Sequence, residues 1–122
     1  MARGRLGEEA AALFLSGQRY EVIARNQRTP AGELDLVCRR ERQYVMVEVK
    51  ARSSEEYGTA LEAIGGRKTR RLRAAAAWWL AERGLFPCSV RFDAVILMLD
   101  GQGSPRSLQH VKDILSGGSG DG

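Results

Sequence analysis

Three acidic residues and a lysine interrupt two short apolar runs in the stretch GELDLVCRRERQYVMVEVKAR, residues 32–52. They are Glu33, Asp35, Glu48 and Lys50. An unpaired carboxylate held among apolar side chains costs roughly several kcal/mol, and two that lie close together repel each other. Mg²⁺ or Mn²⁺ removes this cost, because such a cation takes oxygen ligands and is commonly held by one or two carboxylates. These residues therefore favour metal-assisted hydrolysis of a phosphate ester, in which Lys50 orients or deprotonates the attacking water or offsets charge on the phosphate.

Two strands joined by a hairpin turn would position these side chains. We predict strands over residues 32–40 and 43–52, separated by the polar turn RRERQ. Side chains two residues apart on a strand face the same side of the sheet. On the second strand, one face would carry Met46, Glu48 and Lys50, and the other Val45, Val47 and Val49. On the first strand, Glu33 and Asp35 would share a face with Val37, opposite Leu34, Leu36 and Cys38. Pairing through the turn would place Asp35 beside Glu48, with Lys50 next to it.

A solvent-exposed face with weak ion pairs is the alternative explanation of the same residues. An antiparallel sheet permits strands that are apolar on one face only. This explanation must also account for Asp35, which lies in the neighbouring strand at the matching phase. The spacing alone leaves both explanations open.

The rest of the sequence predicts elements that could hold this hairpin. Residues 6–16 indicate a short helix that ends near Gly17, and residues 20–28 alternate as a strand. A longer helix is predicted over residues 67–83 with Gly84 as its stop, followed by a buried apolar strand over residues 89–99. We also expect one helical turn at residues 60–64, and a last short helix or strand in LQHVKDIL, residues 108–115.

The order α-β-β-β-α-β indicates an α/β fold, in which helices flank a mixed central β-sheet. We expect a single domain over residues 1–115, followed by a flexible Gly- and Ser-rich tail at residues 116–122.

The composition narrows the class of protein. A chain of 122 residues with 43% hydrophobic and 28% charged residues is typical of one globular domain. Its net charge of +4 favours an anionic partner such as nucleic acid. Cys38 and Cys88 are isolated thiols, which argues against a zinc site and suits a reducing, cytoplasmic environment. The sequence shows no signal-peptide pattern and no run long enough to span a bilayer, so no membrane partner is expected.

Asp35, a hairpin and then Glu48-Val49-Lys50 resemble the D…(D/E)-x-K signature of the PD-(D/E)xK nuclease superfamily. The blocks GELDLV, VMVEVKARSS, YGTALEAI, RKTRRLRAAAAWWL and RFDAVIL are similar to those of the YraN-like family of small bacterial proteins. That family is similar in layout to archaeal Holliday-junction resolvases, so the resemblance implies a restriction-endonuclease-like fold. It covers residues 4–114, with the blocks in the family's order.

Carried over residue by residue, the resemblance implies that Asp35, Glu48 and the backbone carbonyl of Val49 bind Mg²⁺ or Mn²⁺. It also implies that Lys50 is the catalytic lysine. The related resolvases carry a further glutamate in their first helix, which the resemblance places at Glu8. Helical phase leaves Glu9 open as a substitute, because Glu9 borders a stripe of Leu6, Ala10 and Leu13 whereas Glu8 lies nearer Leu15. Leu34 stands where the superfamily's name has a proline, a position that varies among these nucleases.

Basic residues supply candidate contacts to the phosphates of a nucleic acid. The predicted apolar stripe of the second long helix consists of Leu72, Ala75, Ala76, Trp79 and Leu80, with Trp78 facing away from it. Lys68 falls on the same stripe one turn earlier, so it would either grip a phosphate beside the metal or snorkel from the core. The candidate nucleic-acid-binding residues are Arg25, Arg28, Arg52, Lys68 and Arg71.

These observations predict a metal-dependent endonuclease that hydrolyses phosphodiester bonds in DNA, with branched or junction DNA as one substrate class. The alternative is a catalytically silent nucleic-acid-binding module of a repair or recombination assembly. Clustered carboxylates favour the enzyme, because they repel phosphate unless a metal intervenes. Junction resolvases act in pairs, so the resemblance also raises a homodimer, for which the sequence has no direct sign. Asp93 either pairs with Arg91 or caps its strand, and His110 is given no catalytic role.

Overall fold

The computed structural model describes residues 2–53, 66–86 and 88–115, and the side chains of residues 7–53, 70–86 and 88–115. Within these ranges the chain forms two helices and five strands. In chain order they are α1 (Ala2–Gly17), β1 (Glu21–Thr29), β2 (Gly32–Arg40), β3 (Gln43–Ser53), α2 (Gly66–Glu82), β4 (Val90–Leu99) and β5 (Pro105–Val111). The helical turn predicted at residues 60–64 and the tail at residues 116–122 lie outside the described residues.

The strands form one mixed sheet in the order β1-β2-β3-β4-β5. β3 and β4 are parallel and have α2 between them in the chain, whereas the other neighbours pair antiparallel. A parallel pair needs a long connection, because a tight turn joins only antiparallel strands. The predicted α/β class with a mixed central sheet is confirmed. β2 has its predicted bounds, and β3 extends one residue beyond its predicted end.

The chain adds a fifth strand to the predicted order α-β-β-β-α-β. The last element was predicted to be either a short helix or a short strand, and it is a strand. This strand, β5, pairs antiparallel with β4 along Ala94 to Leu99. Most of β4 is buried, so the backbone groups on its second edge need hydrogen-bond partners from the protein. The predicted order was therefore incomplete at its end.

Helix α1 covers one face of the sheet with small side chains. From residue 7 onwards, where its side chains are described, the buried residues are Gly7, Ala11, Ala12 and Leu15. A Cβ at Gly7 would lie 3.3 Å from Leu97 Cδ1, so the helix backbone lies close to the sheet at this point. The predicted stripe through Leu13 is wrong, because Leu13 is 67% exposed. The face with the smallest side chains turns inward, since it permits the closer approach.

Helix α2 covers the opposite face of the sheet. Its predicted stripe is confirmed, because all five residues are buried: Leu72, Ala75, Ala76, Trp79 and Leu80. They pack with Leu34, Val37 and Met46 of the sheet. Trp78 is 45% exposed, in agreement with its phase. Gly84 follows the helix with a left-handed φ of 69°, which supports its predicted role as the stop.

Candidate active site

The regular alternation of β2 breaks at Asp35. Leu36 packs on the α1 face of the sheet, but Leu34 packs with Val37 on the α2 face. The prediction that Leu34 and Leu36 share a face is therefore wrong. In β1, Asn26 lies between the residues paired with Leu36 and Leu34, and it has a left-handed φ of 51°. Both strands thus change their facing at the same point, and Asp35 lies in this irregular position.

Asp35 takes the place of a backbone partner in the β2–β3 ladder. The pairing of these strands runs from Arg40–Gln43 to Leu36–Val47 and then stops. Val49 is the next residue after Val47 whose backbone faces β2. Its amide donates to the side chain of Asp35, at 2.9 Å from Oδ2, instead of to a backbone carbonyl of β2. The carboxylate therefore lies where the two strands separate, and the backbone donor keeps a partner.

Glu48 and Lys50 extend from the α2 face of β3. The parallel pairing of β3 with β4 is continuous from Tyr44 to Ser53, so side chains alternate regularly along β3. Met46 belongs to the core on the α2 side, which places Glu48 and Lys50 on that side as predicted. Glu48 is only 4% exposed, whereas Lys50 is half-buried.

Asp35 and Glu48 line one cavity of about 280 Å³ between β2, β3 and α2. The other lining residues are Gly32, Glu33, Arg71 and Leu72. The cavity brings both predicted metal-binding carboxylates together with one predicted phosphate-binding arginine. Lys50 lies two residues beyond Glu48 on β3 and does not line this cavity.

Gly32 brings β2 close to α2 at this cavity. Its φ of 147° is one that residues with a side chain rarely adopt. A Cβ at this position would lie 3.7 Å from Arg71 Cβ. The glycine therefore permits the backbone conformation from which β2 continues to Asp35.

The donor set of the cavity suits Mg²⁺ or Mn²⁺. Two carboxylates, with a backbone carbonyl such as that of Val49, form the kind of oxygen set that these cations take while keeping several waters. Among the residues that the structure describes, no group of three or more His, Cys, Asp or Glu side chains is arranged to hold a metal. Two carboxylates leave coordination positions on such a cation for water and phosphate oxygens.

Glu8 and Glu9 differ in their surroundings on α1. Glu9 is exposed, and its Oε1 accepts a hydrogen bond from Arg25 Nη1 at 2.9 Å. Glu8 is half-buried and follows Gly7, which packs beside Val49 of β3. This placement favours Glu8 as the helix glutamate, although it is not grouped with Asp35 and Glu48 as a third ligand. A metal-binding role for Glu8 stays a prediction.

The predicted phosphate contacts are spread over the surface. Of those whose side chains are described, only Arg71 lines the cavity. Arg25 pairs with Glu9, and Arg28 pairs with Glu33 at 3.0 Å, in exposed positions. Arg52 is half-buried near the end of β3. Lys68 belongs to the first turn of α2, and its side chain lies outside the described residues.

A buried charged cluster on the α1 face was not predicted as a unit. Asp93 is fully buried and accepts two hydrogen bonds from Arg91, at 2.9 and 2.7 Å, so the predicted pairing is confirmed. His110 Nε2 lies 2.8 Å from Asp93 Oδ2, and Arg91 also donates to the Tyr20 hydroxyl at 2.6 Å. The spacing of Arg91 and Asp93 signals their pairing, but no local pattern brings Tyr20 and His110 to them.

The cluster keeps Asp93 ionised. Burial by itself raises the pKa of Asp93, but hydrogen bonds from His110 and Arg91 outweigh burial and hold the pKa at about 2. Burial, with the charge of Asp93 added, raises the pKa of the Cys38 thiol to about 12. Cys38 is therefore a neutral core residue and not a thiolate nucleophile.

Comparison with known proteins matches a model of the uncharacterised protein family UPF0102 to residues 7–97, a segment that contains Asp35, Glu48 and Lys50. A UPF0102 protein of Moorella thermoacetica is 43% identical over 110 residues, which cover 90% of this chain and 92% of the relative. A UPF0102 protein of Parafrankia sp. is 44% identical over 103 residues, with coverages of 84% and 87%. A UPF0102 protein of Desulfosudis oleivorans is 38% identical over 110 residues, with coverages of 90% and 86%.

In the described part of the chain, neither helix combines the length and the apolar character needed to cross a membrane.

Both the matched segment and the aligned relatives extend over most of the chain, from α1 to β4. The chain therefore belongs to the UPF0102 family, the YraN-like family that its sequence blocks resemble.

Proposed function

We propose that this protein is a metal-dependent endonuclease of the PD-(D/E)xK superfamily that hydrolyses phosphodiester bonds in DNA, with branched or junction DNA among its substrates. One observation carries the proposal, namely that Asp35 and Glu48 share a cavity with Arg71. Two carboxylates accept an anionic substrate only when a cation offsets their charge. The order from α1 to β4, with the acids on β2 and β3, is the one expected for a restriction-endonuclease-like fold and supports this assignment.

Asp35, Glu48 and the backbone carbonyl of Val49 would hold Mg²⁺ or Mn²⁺. When bound, such a cation supplies positive charge to the phosphate and lowers the pKa of a coordinated water. The Val49 amide orients the Asp35 carboxylate through its hydrogen bond. Burial restricts the positions that the Glu48 carboxylate can take. Both acids are therefore positioned by the fold itself.

Lys50 and Arg71 would act on the water and on the phosphate. Lys50 lies on the same face of β3 as Glu48, where it would orient the attacking water or take its proton. Arg71 lines the cavity, where it would donate to phosphate oxygens, since a guanidinium presents paired donors to phosphate. Lys50 would thus act on the attacking water, and Arg71 on the phosphate of the substrate.

A nucleic-acid-binding module without catalysis is the second candidate. The net charge of +4 favours it, because positive charge is sufficient for nucleic-acid binding that ignores sequence. It provides no reason for two carboxylates to share a cavity. Cleavage separates the two functions.

Cleavage assays on linear, nicked and four-way DNA with Mg²⁺ or Mn²⁺ test the proposal. Wild type should cut at least one substrate, and Asp35→Asn and Lys50→Ala should each lose cleavage by about 10²-fold or more while still binding DNA. Glu82→Gln is the control, because it removes one carboxylate from an exposed position at the end of α2. Binding by the wild type without cleavage of any substrate would favour the second candidate. Full cleavage by Asp35→Asn would rule out this site.

A further inference from the structure

A second cavity, of about 410 Å³, opens where β2 ends and where β3 and β4 begin. Its lining residues are Arg40, Glu41, Arg42, Gln43, Ser89 and Arg91. Gln43 Nε2 donates to Ser89 Oγ at 3.1 Å, which joins the start of β3 to the segment before β4. The volume is that of an ordinary small-ligand site. Because three arginines face one carboxylate, the cavity suits an anion.

This cavity is separate from the one at Asp35 and Glu48. No residue lines both cavities. Gln43 begins β3, and Glu48 lies about 16 Å further along the strand at the usual rise per residue. A ligand here would therefore not occupy the candidate active site.

Arg91 presents a guanidinium that is already fixed in place. Of the five N–H donors of a guanidinium, those on Nε and Nη2 are used by Asp93 and the Tyr20 hydroxyl. Within the described part of the chain, the two donors on Nη1 are left for a ligand, and the side chain is 21% exposed. Asp93 is fully buried, so its carboxylate does not meet a ligand in the cavity.

Tyr20 holds two of the arginines near one another. The guanidinium carbon of Arg40 lies 5.1 Å from the centroid of the Tyr20 ring, and that of Arg91 lies 5.8 Å from it. Arg42 is exposed on the adjacent hairpin turn. Like charges gathered in this way repel each other, and a bound anion would offset the repulsion.

We propose that this arginine cavity binds a phosphate group. Guanidinium groups match the paired oxygens of a phosphate and hold them through charged hydrogen bonds. The backbone of a nucleic acid and a small phosphate compound present the same oxygens. If the source is a nucleic acid, the cavity adds a phosphate contact remote from the cleavage site, and that part rests on the proposed function.

An NMR titration of the full-length, ¹⁵N-labelled protein in EDTA tests this inference with two probes, inorganic phosphate and a short DNA duplex. The amides of residues 40–43 and 89–91 should shift on addition of the ligand. The double variant Arg40→Gln/Arg42→Gln should weaken binding by about tenfold or more. Arg39→Gln is the matched control, because Arg39 lies in the same hairpin but donates to the Glu41 carbonyl and does not line the cavity. Its effect should stay within about twofold.

If inorganic phosphate shifts these amides and the duplex does not, the ligand is a small phosphate compound. If the duplex shifts them, the ligand is the nucleic-acid backbone. Both results support the site. The inference is overturned if neither probe shifts these amides, or if Arg39→Gln weakens binding as much as the double variant. EDTA removes the cation that cleavage needs, so this result does not depend on the outcome of the cleavage assay.

Discussion

At the scale of single residues, Asp35 combines an observed structural role with the chemical role proposed for it. Its Oδ2 accepts the Val49 amide where the β2–β3 pairing stops, and its carboxylate lines the cavity with Glu48. In most strands, backbone N–H groups bond to backbone carbonyls and not to side chains. Substitutions of Asp35 can therefore separate the stability of the fold from the binding of a cation.

We expect Asp35→Asn and Asp35→Ala to differ in stability but to weaken cation binding alike. The Asn side-chain oxygen can still accept the Val49 N–H, so the free energy of unfolding should change little. Ala leaves this donor without its acceptor, at a cost of about 1–3 kcal/mol. Urea denaturation measures the difference, and calorimetry with Mn²⁺ should show about tenfold weaker binding for both variants. Equal stability of the two variants would contradict the structural role.

At the scale of elements, the placement of α2 sets the width of the candidate site. Arg71 and Leu72 of α2 form one wall of the cavity. The sheet forms the other, through Gly32, Glu33 and Asp35 of β2 and Glu48 of β3. Gln27 holds α2 to the sheet, because its Oε1 accepts from Trp79 Nε1 at 2.9 Å and from Arg83 Nη2 at 3.3 Å. This contact fixes α2 to β1, the strand that pairs with β2 beside the cavity.

Gln27→Ala should lower the free energy of unfolding by about 1–3 kcal/mol, because the buried indole N–H of Trp79 loses its acceptor. Thermal denaturation followed by tryptophan fluorescence measures the effect. Gln109→Ala, at an exposed position on β5, is the matched control and should change stability by no more than about 0.5 kcal/mol. If the two variants were equally stable, the hydrogen bond of Gln27 would contribute nothing.

At the scale of the whole molecule, the cluster at Asp93 joins segments that are far apart in the chain. Arg91 and Asp93 lie on β4, His110 lies on β5, and Tyr20 precedes β1. The backbone amide of Asp113 also donates to Asp93 Oδ1 at 3.0 Å. Because these bonds favour the ionised carboxylate, the cluster makes the stability of the fold depend on pH.

Stability should fall in acid as Asp93 becomes protonated. Its folded pKa of about 2 lies below the ordinary value of 3.8, so its contribution is complete above about pH 4 and is lost as the pH falls to 2. This difference corresponds to about 2 kcal/mol. Denaturation with urea from about pH 5 to pH 2 should show the loss in the wild type and less of it in Asp93→Asn. The Glu82→Gln control should keep the wild-type dependence, and an unchanged dependence in Asp93→Asn would refute the assignment.

Local pattern predicted those elements whose faces differ clearly in polarity. The buried stripe of α2 followed from helical spacing, and the bounds of β2 followed from turn residues on either side. The buried face of α1 was mispredicted, because alanines and leucines lie all around that helix. Packing decided that face: Gly7, Ala11 and Ala12 turn inward, and Leu13 turns to solvent.

By itself, the sequence determined which groups are available for chemistry and, on the regular strand β3, that Glu48 and Lys50 share a face. Only the tertiary structure decided that Asp35 accepts the Val49 amide, that Arg71 joins both acids in one cavity, and that His110 contacts Asp93. The physical reason is that these contacts join residues distant in the chain. At Asp35, moreover, the break in strand pairing overrides the two-residue alternation on which any local prediction depends.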